Sequence, residues 1–167
     1  MKKILLGLFL MLGAVSFAAP KYVDMAKLQK NSYQIIQDEE GTFLFGKSTK
    51  DVGLTVALFD VPESKDTAKK LSEEIKVTAP AEQKYLSSRE NKRAYVNKFK
   101  ANDGSYTYSI VAKKTKIKNC YISVLYIINK DFKDNELDKV VDQTLNEIES
   151  YLKWYKMEEI YLWKNFY

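Results

Sequence analysis

The basic residues show the clearest spacing for binding chemistry. Lys114, Lys116 and Lys118 lie two positions apart, so an extended segment would present all three on one face. A second basic group falls in a predicted turn earlier in the chain and consists of Arg89, Lys92 and Arg93. Clustered positive charge attracts anions such as lipid headgroups, acidic glycans and phosphate-bearing polymers. The alternative interpretation is that the lysines keep a sheet edge or hairpin soluble.

A second candidate surface is aromatic and lies near the C-terminus. Both tryptophans of the chain fall within residues 154–167, mixed with tyrosines and lysines. The candidate contact residues of this segment are Trp154, Tyr161, Trp163, Phe166 and Tyr167. Tryptophan and tyrosine beside lysine suit a membrane interface or the groove of a partner. The alternative is that this tail packs back on its own domain.

The absence of histidine excludes several kinds of catalytic site. The chain has no histidine and a single cysteine, Cys120. Ser-His-Asp and Cys-His nucleophile systems therefore cannot be built, nor can zinc sites that use histidine or several thiolates. Cys120 begins an apolar alternation that continues to Ile128, which favours a buried core thiol over a disulfide between two chains. Carboxylate, lysine and tyrosine chemistry and oxygen-ligated metals remain open.

Two groups of acidic residues are candidates for a metal or catalytic site, and the spacing of neither group favours one. Asp131, Asp134, Glu136 and Asp138 lack the alternate spacing and the central glycine of an EF-hand loop, and carboxylates at the start of a helix are typical of capping. The group at 38–40 precedes Gly41 and fits a solvated turn better than a general acid–base pair. The sequence therefore predicts no catalytic residue, no metal ligand and no cofactor.

Residues 1–18 have the pattern of a cleavable signal peptide. Lys2 and Lys3 form a positive start, residues 4–15 are apolar, and Ser16 and Ala18 place small side chains before a cleavage site. The apolar run is shorter than the roughly 20 residues that span a bilayer. We therefore expect export to a periplasm or to the cell exterior, with no transmembrane segment after cleavage. Loss of Lys2 and Lys3 lowers the formal net charge from +5 to +3, which argues against nucleic acid as a partner.

The hydrophobic pattern predicts one α+β domain at 19–155, followed by the tail at 156–167. Helices are predicted at 22–30, at 64–77 with Ser64 as the cap, and from Asp134 or Asn135 to 155. Strands are predicted at 32–37, 42–46, 53–61, 83–88, 93–100, 105–112 and 120–128. Asp103-Gly104 marks the clearest hairpin turn. The order α-β-β-β-α-β-β-β-β-α predicts a mainly antiparallel sheet of about six or seven strands, and strands that are apolar on both faces require helices on both faces.

The order of elements over residues 32–152 resembles that of PsbP-like and DcrB-like domains. The resemblance rests on the strand at 53–61 that runs into Pro62 and a serine-led helix, on the Asp103-Gly104 hairpin, and on the closing helix after Asp131-Phe132. It implies an exported accessory or binding domain with no shared catalytic residues.

Three functions are open at this point. The first is a non-enzymatic accessory or binding protein of the cell envelope, whose partner is an anionic envelope component or another envelope protein. The second is a membrane-peripheral protein held by the aromatic tail. The third is a carboxylate-dependent enzyme that acts on envelope glycans, which would need two carboxyl groups facing one cleft.

Overall fold

A computed structural model describes residues 19–62 and 64–153 of the chain. The predicted signal peptide, the predicted tail and the last two residues of the predicted domain, Trp154 and Tyr155, lie outside the described residues. The helices of the described part are α1 (Met25–Lys30), α2 (Thr67–Val77) and α3 (Asp134–Glu149). Its strands are β1 (Gln34–Glu39), β2 (Thr42–Ser48), β3 (Val52–Asp60), β4 (Gln83–Glu90), β5 (Ala94–Ala101), β6 (Tyr106–Ala112) and β7 (Cys120–Ile128).

All seven strands belong to one antiparallel sheet in the order β1-β2-β3-β7-β6-β5-β4. This confirms the predicted α+β class and the antiparallel sheet. The two strands that the sequence marks as apolar on both faces, β3 and β7, lie side by side in the interior of the sheet. Alternation of side chains along a strand then gives the sheet two faces, each of which must be covered or solvated.

The larger core lies between the sheet and helices α1 and α3. The apolar stripe of α3 contributes Leu137, Val141, Leu145 and Ile148, all buried. These side chains belong to the same cluster as Leu28 of α1 and as the side chains that β2, β3, β5, β6 and β7 direct to this face. Removal of this much apolar surface from water is the main favourable term for folding.

Helix α2 covers part of the opposite face, against β5 and β6. Its cluster is smaller and centres on Ala68, Val111 and Tyr121. A polar contact supplements it, because the Asn97 side-chain amide donates to the backbone oxygen of Ser72 on α2 at 2.8 Å. The predicted placement of helices on both faces is thereby confirmed.

Three predicted helix boundaries are wrong by several residues. Helix α2 begins at Thr67, not near Ser64, whose hydroxyl instead bonds the Thr67 hydroxyl at 2.6 Å. Helix α1 begins at Met25, not at residue 22. Helix α3 begins at Asp134, one of the two predicted positions. It ends at Glu149 because the chain turns to pair with the N-terminal segment: Leu152 forms an isolated bridge with Val23, and the Asp24 amide donates to the Tyr151 carbonyl at 2.7 Å.

Two local expectations are confirmed. Gly104 has a φ of 87°, as a tight turn after Asp103 requires, and its amide donates to the Ala101 carbonyl at 3.0 Å. Cys120 is 3% exposed, and burial raises the pKa of its thiol to about 11. The thiol is therefore protonated at neutral pH and a poor nucleophile.

Gly46 on β2 provides a test of the packing between the first three strands. A Cβ at this position would lie 2.6 Å from the Leu54 carbonyl oxygen of β3 and 3.0 Å from the side chain of Ile36. Because a backbone oxygen of a paired strand cannot move aside without breaking the ladder, we expect Gly46→Ala to lower the free energy of unfolding by about 1–3 kcal/mol. Urea unfolding followed by circular dichroism measures this free energy.

Ser48→Ala, at an exposed position of the same strand, is the matched control. Equal stability of the two variants would contradict the assigned β2–β3 register.

Candidate functional site

The basic segment after β6 forms a loop at one end of the sheet. β6 ends at Ala112 and β7 begins at Cys120, so residues 113–119, here called the lysine loop, connect two neighbouring strands of the sheet. The loop contains four lysines and no acidic residue.

Internal hydrogen bonds hold the lysine loop in one shape. The Thr115 hydroxyl lies 2.8 Å from the Ile117 carbonyl oxygen and 2.6 Å from that of Cys120, so it bridges the two ends of the bend. Asn119 takes a φ of 61°, which reverses the chain into β7. Its carbonyl accepts from the Val61 amide at 2.8 Å, which ties the loop to the residue that follows β3. The half-buried Ile117 packs against the larger core and anchors the bend from below.

The first lysine of the loop is neutralised by the neighbouring β4–β5 turn. Lys113 Nζ donates to the Asn91 carbonyl at 2.7 Å and lies 3.1 Å from the Glu90 carboxylate. It also stands 4.8 Å from the centre of the Tyr95 ring. The charge of Lys113 is therefore compensated, and its contacts help to hold the loop in place.

The other three lysines are exposed and surround one depression. Lys114, Lys116 and Lys118 are exposed, while Thr115 and Ile117 between them are half-buried. Exposed lysines therefore alternate with half-buried residues, although the segment is a loop and not an extended strand. All three line a surface depression of about 230 Å³. Within residues 19–62 and 64–153, no carboxylate forms an ion pair with any of them.

Within the second basic group, Lys92 is exposed as the three loop lysines are. It is exposed at the tip of the β4–β5 turn. This turn adjoins the lysine loop, because the Lys113 amide donates to the Arg93 carbonyl at 2.8 Å.

The two arginines of that group serve a different purpose, because they hold helix α3. Arg89 lies 3.0 Å from the Asp138 carboxylate and 3.4 Å from that of Asp134. Arg93 lies 3.1 Å from Glu149 and donates to the Asn146 side chain at 2.6 Å. Hydrogen bonds from Asn91 and Arg89 lower the pKa of Asp138 below its ordinary value. Arg89 and Arg93 are therefore neutralised by α3, and the structure does not add them to the free charge of the lysine loop.

The acidic residues around the start of α3 are each paired with a cation. Asp131 pairs with Lys98, and Glu136 lies 3.0 Å from Lys130. Glu136 also accepts from the Lys133 amide at 3.2 Å, which satisfies a free backbone group at the helix start as the capping interpretation predicts. No group of three or more cysteine or acidic side chains suited to a metal ion occurs among the described residues.

Sequence reasoning missed Glu147, which accepts more side-chain hydrogen bonds than the other carboxylates of the described residues. Its Oε1 atom accepts from the Tyr33 hydroxyl at 2.9 Å, from Lys47 at 2.5 Å and from the Tyr151 hydroxyl at 3.2 Å. Burial alone would raise the pKa of Glu147, but the bonds from Lys47 and Tyr33 outweigh it and lower that pKa. The only local signal was the spacing of four between Glu147 and Tyr151, since Tyr33 and Lys47 are more than 90 residues away. These four side chains join α3, β2 and the segment before β1.

The turn between β1 and β2 keeps its acidic side chains apart. Asp38 lies opposite Phe43 and Glu39 opposite Thr42, so the two carboxylates point to opposite faces of the sheet. Partial burial raises the pKa of Asp38.

The aromatic candidates Trp154, Tyr161, Trp163, Phe166 and Tyr167 lie outside the described residues. Within residues 19–62 and 64–153, none of the helices has the length and hydropathy needed to cross a bilayer.

No protein-family model matches the chain, and comparisons with curated proteins and with solved structures give no significant match.

The Glu147 cluster predicts a pH-dependent loss of stability in the variant Glu147→Gln. The folded state lowers the pKa of this carboxyl below its ordinary value of about 4.5, so its stabilising contribution is present above that pH and is lost as the pH falls through the folded-state pKa. Because the side chain is 34% exposed, solvent screening limits the contribution to about 1 kcal/mol. Urea unfolding at pH 7 and at successively lower pH measures the difference between wild type and variant.

Glu40→Gln, at an exposed position of the β1–β2 turn, is the control for loss of one negative charge. The difference caused by Glu147→Gln should exceed that of the control at pH 7 and shrink in acid. A difference that stayed constant with pH would show that the carboxylate charge does not stabilise the fold.

Proposed function

We propose that this protein is an exported, non-enzymatic binding or accessory protein of the cell envelope, and that its lysine loop contacts an anionic envelope component. The observation that carries the proposal is the group of three exposed lysines around one depression, without a carboxylate partner among the described residues. The ligand that these lysines would bind carries a solvent-exposed phosphate or carboxylate group.

The contrast with five cations that form ion pairs supports this assignment. Lys47, Lys98, Lys113, Arg89 and Arg93 all pair with carboxylates, so their fields are cancelled locally. Lys114, Lys116 and Lys118 project from a loop that is held by its own hydrogen bonds. A preformed loop loses little conformational entropy when it binds, which favours affinity.

The pKa values of three buried groups are unsuited to proton transfer near neutral pH. Burial raises the pKa of the Tyr108 and Tyr151 hydroxyls to about 12 and that of Cys120 to about 11. General acids and bases work best with a pKa near the working pH. The most densely bonded carboxylate, Glu147, is held by a lysine and two tyrosines, which favours a structural role over glycan hydrolysis.

The lysine loop proposal is tested with the triple variant Lys114→Gln, Lys116→Gln, Lys118→Gln. At low salt each lysine near an anionic surface contributes about 1 kcal/mol, so the triple variant should bind roughly 100-fold more weakly. Co-sedimentation of the mature chain with phosphatidylglycerol vesicles, and with soluble polyphosphate by ultracentrifugation, measures this for the two sources of phosphate. Binding should weaken as salt is added.

The matched control removes the same charge elsewhere. Lys65, Lys69 and Lys70 are exposed at or near the start of α2, and their replacement by glutamine gives the same net charge. A control that lost as much affinity as the loop variant would show that net charge alone drives binding. Wild-type chain that bound neither probe would contradict the proposal.

Export is tested by identifying the first residue of the chain after production in a bacterial host. Cleavage after Ala18 leaves Ala19 as the first residue, which N-terminal sequencing of the envelope fraction detects. Replacement of Ala18 by Lys places a large charged residue at the cleavage position and should leave the precursor uncut. A wild-type chain that kept residues 1–18 and stayed in the cytoplasm would contradict export.

A further inference from the structure

One half of the sheet face that α2 shares is not covered by any described element. Helix α2 packs over β5 and β6, and its cluster extends to Tyr121 of β7 and Phe59 of β3, whereas α1 and α3 belong to the core of the other face. Five half-buried side chains on β2, β3 and β7 remain on the uncovered half, here called the open face: Leu44, Thr55, Ala57, Leu125 and Ile127. Their register is continuous, since Leu44 lies opposite Ala57 and Thr55 opposite Leu125.

The open face is mainly apolar in composition. Gly46 and Gly53 lie in register with these side chains, and the side chain of Ile36 on β1 covers Gly46, 3.0 Å from where a Cβ would stand. A contiguous apolar patch of this kind on a sheet marks a surface that another element covers. Three strands at about 4.8 Å spacing have the width of one helix or extended segment with its side chains, roughly 10 Å.

The chain leaves the described part of the structure at one end of β3, on the side of the sheet that α1 and α3 cover. The Lys153 amide donates to the Tyr22 carbonyl at 2.7 Å, and the Tyr22 hydroxyl donates to Asp60 at 2.6 Å. Asp60 is the last residue of β3, the central strand of the open face. Val61, which follows Asp60, is 38% exposed, and its amide donates to the Asn119 carbonyl at 2.8 Å.

The residues that follow Lys153 have the length and composition to cover the open face. Nine of residues 154–167 are aromatic, isoleucine, leucine or methionine. Fourteen residues reach at most about 50 Å when extended, whereas the nine residues of β3 span about 30 Å. About four residues suffice to pass the strand ends across a sheet roughly 10 Å thick, which leaves ten to cover the face.

We propose that residues 154–167 of the same chain dock on the open face, and that this face is the binding site for the aromatic tail. The tether supports an intramolecular occupant, because a short linker holds the tail at an effective concentration of the order of millimolar. This surface is separate from the lysine loop, so the proposal does not depend on the proposed function.

The two tryptophans provide a direct readout, because Trp154 and Trp163 are the only tryptophans of the chain and both lie in the tail. In the full mature chain, the expected indole emission is blue-shifted and protected from acrylamide quenching. Thr55→Lys and, separately, Ala57→Lys place a charge in the centre of the open face. Each variant should shift the emission to the red and raise the quenching constant, with far-UV circular dichroism unchanged.

Ser87→Lys is the matched control, since Ser87 is exposed on the edge strand β4 and away from the open face. Its emission should equal that of wild type. Wild-type emission typical of indole in water would overturn the proposal, as would emission unaffected by both open-face variants. A blue shift that appears only at high protein concentration, together with dimers in sedimentation, would assign the face to a second copy, and one that appears only with vesicles would assign the tail to a membrane.

Discussion

The fold depends on the pairing of β3 with β7. The chain makes two antiparallel ribbons, β1-β2-β3 and β4-β5-β6-β7, and the nine aligned pairs from Val52–Ile128 to Asp60–Cys120 are what joins them into one sheet. These pairs join residues that lie at least 60 positions apart in the chain, so closing the loop between them carries an entropic cost. That cost is offset by burial, because Val56, Leu58, Ile122 and Val124 of these strands are at most 1% exposed. Everything that lies on the sheet, including helices α2 and α3, is positioned by this junction.

Helix α3 shows how charge sets position after apolar burial supplies stability. Its stripe fills the larger core, while its flanks carry the carboxylates that meet Arg89 on β4 and Lys47 on β2. Since β4 and β2 lie near opposite edges of the sheet, the helix is fixed at both ends. Ion pairs that remain partly exposed contribute little free energy each, so their main effect here is to specify the direction of the helix across the sheet.

The sequence predicted the elements because their signals are local, and it failed where partners are distant. The alternation in 53–61 and 120–128 and the stripe from Leu137 to Ile148 depend on neighbouring residues, and each element was found. The end of α3 at Glu149 was missed because Tyr151 and Leu152 bond to the segment at Val23 and Asp24, far earlier in the chain. Distant partners also explain why the charges of the two arginines are compensated.

Arg89 and Arg93 resemble the loop lysines in sequence, but their carboxylate partners lie 45–56 residues away on α3. The bonds that support the lysine loop are local, from Thr115 to Ile117 and Cys120, so its shape depends on residues close in the sequence.

The distribution of compensated charge also constrains the kind of ligand that the lysine loop can hold. Three lysines at about 1 kcal/mol each give roughly 3 kcal/mol, which corresponds to a dissociation constant of several millimolar for one small anion. A single phosphate or sugar acid would therefore bind too weakly to remain on the loop. A surface or polymer that repeats the anionic group allows rebinding and simultaneous contact with Lys92 in the adjoining turn, and such multivalency raises the affinity without any new kind of contact. The physical chemistry of the loop thus favours a repeating anionic envelope component over a soluble metabolite.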